Sequence, residues 1–388
     1  MRTTIKDIAR ACGVSAATVS LALSGRKTKI SEETCRTVRE TAERMNYYPN
    51  LMASSLSRQR SQSVGIVIND LRNTHVAALF MSISTVLQNA GYFPVCHILN
   101  DNDPEMYEVL VRRIASENLC ALIWGKPYEP SRKEMNRMTC RIVDTLGIPI
   151  FSTDNSEFKS PGINICCDYR KAAYLAVRYL ISQGHTRIGC ISGNPSFQVT
   201  QDRIDGYRDA LEQAGITFDE NLIYYGDYSL AGGSAALPYL LGQQVSAVFS
   251  MNDEMAFGVY QEARNYGLKI PDSLSVIGCD NVPFDNVLEV PLSTVGTSTD
   301  EMGRFIGQEV CSSIHQIDRE GPDALGERRT VYYEPNLYLR GSVRPYAPSV
   351  TAAARVTPDS AGSGRSGGHV PAGTRSATAA ASGSPSRT

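Results

Sequence analysis

Two sets of residues have the types and positions to do chemistry. Asp154, Asn252 and Asp280 each stand just past a short apolar or β-branched run: Ile148–Phe151, Ala247–Phe249 and Val276–Gly278. Polar side chains at the carboxyl ends of parallel strands are where open α/β sheets hold small ligands. Trp124 ends a fourth run, Cys120–Trp124, where its ring would face either a ligand or the core. The second set is a basic cluster. Residues 1–62 hold eleven Lys and Arg against five Asp and Glu, a surplus of six in a chain of net charge −2. Five Arg against one Asp in 343–388 then leave −12 for the residues between. A small positive head on a negative body implies a polyanion partner for the head alone.

The signatures of catalysis and of metal binding are missing. There is no G-x-G-x-x-G after a strand, no phosphate-binding G-x-x-x-x-G-K-[ST] loop and no G-x-S-x-G elbow. His75, His97, His185, His315 and His369 show no H-x-x-x-H spacing, and His185, in a turn before a strand, reads as structural. Ten cysteines are scattered without a C-x-x-C and read as small apolar residues with reduced thiols. No catalytic residue, metal or cofactor is therefore expected. The reading is a binding protein, not an enzyme.

These residues must be positioned by distinct elements. At 388 residues the chain is long enough for two or three domains. Residues 1–46 carry short helical patterns only. In 1–46, Ile5, Ile8, Ala9 and Cys12 share a helix face that begins at Thr4 and stops at Gly13. Ser15 caps a second helix over Ala16–Leu23, and Ser31 with Glu32 and Glu33 opens a third that buries Val38, Ala42 and Met45. Two helices crossing at a tight glycine turn form a helix-turn-helix, the arrangement that presents the second helix to a major groove. Residues 47–63 form a polar connector. From 64 to 342, strand-like runs alternate with helical stretches, the mark of parallel sheets covered on both faces. Some 280 residues of this pattern predict two α/β lobes. The segment 343–388, rich in Ala, Ser, Gly, Arg and Pro, is expected to be a disordered tail. It has no leucine heptads that would tie copies together. No window approaches ~18 consecutive apolar residues, and the N-terminus does not read as a secretion signal. The expected location is the cytoplasm, with no membrane partner. The fold class is thus an all-α helix-turn-helix head plus an α/β body of two parallel-sheet lobes.

The segment Thr4-Ile5-Lys6-Asp7-Ile8-Ala9-Arg10-Ala11-Cys12-Gly13-Val14-Ser15, with Thr18-Val19-Ser20 and Tyr48-Pro49-Asn50, resembles the head of the LacI/GalR family of bacterial transcription regulators. The likeness continues in order through Gly184-His185-Thr186-Arg187-Ile188, Arg203-x-x-Gly206-Tyr207, Asn252-Asp253-x-x-Ala256-x-Gly258 and Val276-Ile277-Gly278-x-Asp280. The resemblance implies a periplasmic-binding-protein-like body and a sequence-specific regulator, a repressor of carbohydrate-related genes. Its operator affinity would be set by a small sugar-like effector between the lobes. Thr4, Lys6, Ser15, Ala16, Ala17, Thr18, Ser20, Leu21 and Arg26 would then face DNA, with Lys6 and Arg26 towards phosphate. Leu21 stands where relatives often place an arginine that reads guanine, and it offers apolar contact in its place.

The same resemblance makes Asn50, Ala53 and Leu56 part of a hinge helix that orders in pairs over the minor groove, Leu56 wedging between base steps. Arg203, Asn252 and Asp280 would bind the effector, joined by Asn73 and Asp154, with the ring of Tyr228, and that of Trp124, against it. Asp253 reads as a helix cap. Thr74-His75-Val76 replaces the aromatic stretch that relatives carry there. The implied partners are a pseudo-palindromic double-stranded DNA operator, a sugar or sugar derivative, and a second copy of the chain in a homodimer.

Overall fold

The computed structural model describes residues 3–23, 30–47, 61–99, 103–126, 128–155 and 157–346. Three short helices make the head. In α1 (Ile5–Cys12) the Asp7 carboxylate accepts from the Thr4 backbone N–H at 2.9 Å and from its hydroxyl at 2.6 Å. Gly13, at φ +65°, ends the helix in a left-handed conformation that only glycine adopts cheaply. In α2 (Ala16–Leu23) Ser15 Oγ accepts from the Thr18 N–H at 3.0 Å, and in α3 (Glu32–Arg44) Ser31 Oγ accepts from the Thr34 N–H at 3.2 Å. Ile8, Val19, Ala22, Val38 and Ala42 are buried between the three, with Met45 packed at the edge.

The body contains two six-stranded sheets. The first runs β11-β5-β4-β3-β1-β2, all parallel. Its strands are β1 (Ser63–Ile68), β2 (Phe93–Ile98), β3 (Ala121–Trp124), β4 (Ile150–Thr153), β5 (Ile163–Cys167) and β11 (Arg329–Tyr333). Helices α4 (Thr74–Asn89), α5 (Pro104–Ala115) and α6 (Lys133–Val143) connect them. The second sheet, β12-β10-β9-β8-β6-β7, is parallel apart from β12. It holds β6 (Ile188–Ser192), β7 (Ile223–Tyr225), β8 (Ala247–Ser250), β9 (Ser275–Cys279), β10 (Ser293–Gly296) and β12 (Asn336–Tyr338). Its helices are α7 (Tyr169–Ser182), α8 (Gln198–Gln213), α9 (Leu230–Gly242) and α10 (Asp253–Asn265).

The chain passes between lobes three times: from β5 into α7, from β10 into α11 (Thr299–Glu320), and from β11 into β12. Helix α11 lies on the first lobe, where Met302, Ile306 and Val310 join the core made by Ile66, Ile83 and Ile123.

One boundary moves. Val343–Tyr346, expected to belong to the tail, is ordered against the second lobe. Ser342 Oγ donates to the Val276 carbonyl at 2.6 Å, Val343 is buried, and the Tyr346 ring stacks on His185 at 5.2 Å. Apolar and aromatic groups at 343 and 346 find partners that the local composition does not reveal. His185 itself is structural, as read: Nδ1 lies 2.9 Å from Ser246 Oγ and Nε2 lies 3.2 Å from the Arg344 carbonyl. Residues 347–388 lie outside the described residues.

Candidate functional site

The carboxyl ends of β1, β3, β4, β5, β8 and β9 converge on a cavity of about 150 Å³ between the lobes. Asn73 arrives from the first lobe as the N-cap of α4, its Oδ1 accepting from the Val76 N–H at 3.1 Å. Asp154 follows β4 and holds φ +53°. Its Oδ2 accepts from the Tyr169 hydroxyl at 2.8 Å and its Oδ1 from the Cys167 N–H at 3.3 Å. From the second lobe, Arg203 rises on α8 and is 5% exposed. Its guanidinium lies 4.2 Å from the Tyr169 ring centre and 5.7 Å from that of Tyr228, and Nη1 donates to the Tyr228 hydroxyl at 3.1 Å. Asp280, just past β9, has Oδ1 3.7 Å from Arg203 Nη2. Asn252 caps α10 through Oδ1, which accepts from the Met255 N–H at 2.9 Å, while Nδ2 donates to the Tyr228 carbonyl at 3.0 Å.

Backbone strain collects here. Asp154, Tyr228 and Asp280 all hold positive φ, at +53°, +67° and +138°. Such conformations cost non-glycine residues roughly 1–3 kcal/mol each and persist where surrounding structure over-determines them. Gly193 makes room for the Tyr228 ring, since a Cβ there would lie 1.9 Å from it. Burial dominates the electrostatics. It lifts the Asp154 carboxyl to about 6, although the Tyr169 hydrogen bond pulls the other way. Asp280 is raised by burial against the pull of Arg203, and Asp253 by burial and by Asp280. Burial holds His75 down at about 4, so its imidazole is neutral, and the Tyr169 hydroxyl is raised well above its ordinary value. Carboxylates, one guanidinium and the rings of Tyr169, Phe197 and Tyr228 around one cavity can bind and orient a polar ring.

On the head, α2 turns Val19 and Ala22 inward and leaves Ser15, Ala17, Ser20 and Leu21 exposed, with Ala16 and Thr18 half-buried. Leu21 is 50% exposed, a large apolar side chain displayed on the outer face of α2. Thr4 and Lys6 are exposed at the start of α1.

Residues 4–50 match the family model described as bacterial regulatory proteins, lacI family, and residues 177–343 match that of a periplasmic binding protein-like domain. The chain is 31% identical over 331 residues to the HTH-type transcriptional repressor CytR of Escherichia coli strain K12, covering 82% of this chain and 94% of that one. It is 32% identical over 349 residues to the HTH-type transcriptional regulator DegA of Bacillus subtilis strain 168, covering 89% and 99%. The chain belongs to the LacI family of bacterial regulatory proteins. It is a DNA-binding transcriptional regulator, as its relatives are. The fold is shared with the Lac repressor dimer bound to operator and the anti-inducer ONPF, at TM-score 0.72 and 20% identity over 89% of this chain and 100% of that one. It is shared too with the transcriptional regulator CelR–cellobiose complex, at TM-score 0.62 and 24% identity over 88% and 100%.

In this LacI-family chain, Asn73, Asp154, Arg203, Tyr228, Asn252 and Asp280 all line the one cavity. Trp124 does not. Side chains alternate along a strand, so Ile123 and the following Gly125 reach the cavity while Trp124 points to the other face, buried edge-on to Phe158 at 5.6 Å. Asp253, read as a cap, yields that role to Asn252; its carboxylate accepts from Thr294 Oγ1 at 2.7 Å and the Val282 N–H at 3.2 Å. Sequence reasoning missed Tyr169, His75 and Asn69 as cavity residues. Tyr169 sits two residues past β5, a strand whose Ile-Asn-Ile-Cys-Cys reading gives no strong apolar signal. The DNA-side residues Arg26, Asn50, Ala53 and Leu56 lie outside the described residues.

Proposed function

We propose that this LacI-family regulator is a repressor whose grip on a pseudo-palindromic operator is set by a one-ring sugar or close derivative held between the lobes. The observation that carries the reading is the meeting of Asp154 and Tyr169 with Arg203 and Asp280, contributed from both sides of one cavity. Carboxylate and planar guanidinium together hold vicinal hydroxyls through charge-assisted hydrogen bonds. The volume supports one ring, since an engineered cavity of about 150 Å³ is known to take up a single benzene. An effector touching both lobes favours one closure over another and so changes the spacing of the two heads in a homodimer.

The test uses the full chain. An operator is selected from a random duplex pool, and its affinity is titrated with and without single-ring sugars. At least one is expected to change operator affinity 5–150-fold, the range of typical allosteric coupling of about 1–3 kcal/mol. Arg203→Ala is expected to keep operator affinity and lose the response. Absence of any sequence preference at low salt overturns the reading, as does an undiminished response in Arg203→Ala.

A further inference from the structure

We propose that the cavity selects an uncharged polyhydroxylated ring and rejects the same ring once it bears a phosphate or carboxylate, a choice enforced by Asp154 and Asp280. This deepens the sugar reading above and rests on it.

The charge inventory is lopsided. The described residues lining the cavity include two carboxylates, Asp154 and Asp280, against one guanidinium, Arg203. That guanidinium is already engaged: its face lies on Tyr169, Nη1 donates to Tyr228, and Nη2 faces Asp280. Further buried carboxyls, and no cation facing the cavity, stand behind among the described residues. Asp253 is fully buried next to β9, where Gly278 is required because a Cβ would lie 2.0 Å from Asp253 Oδ1. Asp285, also fully buried, has its carboxyl pushed up to about 10 by burial and by Asp253, so it keeps its proton and adds no charge; Arg340 Nη1, 3.5 Å from it, donates to the Leu292 carbonyl, and the other two nitrogens donate to Asn286 and Asn281. At the lip Glu254 accepts from Thr74, and Asp202 accepts from Gln198. Lys126 is near but does not line the cavity; its ammonium sits over the rings of Tyr107 and Phe197 at 5.9 and 6.0 Å. An anion would be stripped of water beside more carboxylates than cations, with no open fork to receive it bidentately.

The unpartnered atoms point the same way. Arg203 Nε, Asn69 Oδ1 and His75 Nδ1 are buried without a hydrogen-bond partner and belong to residues of the cavity wall. One is a donor, one an acceptor, and the imidazole nitrogen serves as either. A hydroxyl gives a hydrogen and takes one, so neighbouring hydroxyls can donate to Asp154, Asp280 and Asn69 while accepting from Arg203. An ionised phosphate or carboxylate only accepts, and it would leave those three oxygens facing further oxygens. The ring's C–H face has its own wall in Val76, Leu79, Ile123 and Met302.

The experiment is a matched panel on the full chain at constant ionic strength: neutral pentoses and hexoses, their phosphates, and the corresponding uronates. Melting shifts come first, then calorimetric affinities. The expected result is at least one neutral ring that raises Tm by several degrees, with its phosphate and uronate at least 100-fold weaker. An anionic ring that binds as tightly as its neutral parent, or binds where the parent does not, overturns the charge selection and leaves the sugar reading standing. Silence from every ring overturns both. Asp154→Asn, nearly isosteric, is expected to lower the neutral-to-anion affinity ratio at least tenfold, with Asp280→Asn as a second variant. A ratio unchanged in both overturns the assignment to these carboxylates, whatever their effect on stability.

Discussion

Tyr169 shows how one hydroxyl can tune the cavity. It donates to Asp154 at 2.8 Å while its ring carries the Arg203 guanidinium, so it links a first-lobe carboxylate to a second-lobe cation. Tyr169→Phe keeps the ring and removes that donor. A single hydrogen bond to a charged group is worth about 1.5–3 kcal/mol, so effector affinity should fall roughly tenfold or more by calorimetry, with operator affinity in the absence of effector unchanged. An unaltered effector affinity would show that Asp154 needs no such orientation. The buried carboxyls make a second prediction at this scale. Asp154 is raised to about 6, and Asp253, Asp280 and Asp285 are raised as well, all chiefly by burial. In the unfolded chain these groups release their protons near pH 4. From about pH 4 upward the folded protein therefore holds more protons than the unfolded one, up to about pH 6 for Asp154 and about pH 10 for Asp285, and its stability falls as pH rises through that window. His75 and His185, lowered by burial, act in the opposite sense below pH 6.5 but are outnumbered by the four carboxyls. Melting of the ligand-free protein should lose several degrees from pH 5 to pH 8, and Asp285→Asn should flatten the slope; a Tm that climbs over that range would contradict it.

Among the elements, Gly258 of the Asn252–Gly258 motif and Gly233 act by letting two helices touch. A Cβ on Gly258 of α10 would lie 2.0 Å from the Leu230 carbonyl at the start of α9, and one on Gly233 of α9 would lie 1.9 Å from the Met255 carbonyl. Gly258→Ala must push α9 and α10 apart, and overpacking of this kind typically costs 1–3 kcal/mol. Chemical denaturation should show that loss with the slope unchanged, and effector affinity should follow, because Asn252 caps the displaced α10. The central strands of both lobes were legible: β1, β3, β6, β8 and β9 are buried on both faces and read as short apolar runs. The edges were not. β2 carries Pro94 and His97, β7 and β12 have three residues each, and β11 has three of its five residues exposed. Edge strands tolerate such residues because one side needs no ladder partner. The missed Tyr169 has another cause: β5, inside the first sheet, carries Asn164 and two cysteines and shows no clear apolar run, so there was no strand end to flag it. Arg203 was legible only through its motif, since a helical arginine has no positional signal of its own, and Trp124 failed because a strand end alone does not say which face a residue takes.

At the scale of the whole molecule, the proposed effector response requires the two lobes to have more than one closure. The lip is held by small contacts: Thr74 Oγ1 donates to Glu254 Oε2 at 3.2 Å, and the Gln198 N–H donates to the Tyr128 carbonyl at 3.3 Å. Each joins a first-lobe residue to a second-lobe one. Contacts of this size contribute about 0.5–1.5 kcal/mol apiece, enough to bias a two-state equilibrium a few-fold without locking it. Glu254→Ala removes one of them and replaces no residue lining the cavity. An effector that prefers the closed arrangement should then bind about 3–10-fold more weakly, with the loss carried by faster dissociation. Coupling is reciprocal between the two ligands, so the operator titration should still reach the same end point at saturating effector, displaced to higher effector concentration. That outcome separates Glu254 from Arg203, whose removal should abolish the response at any concentration. Identical effector affinity and kinetics in Glu254→Ala would place closure under other contacts than this lip.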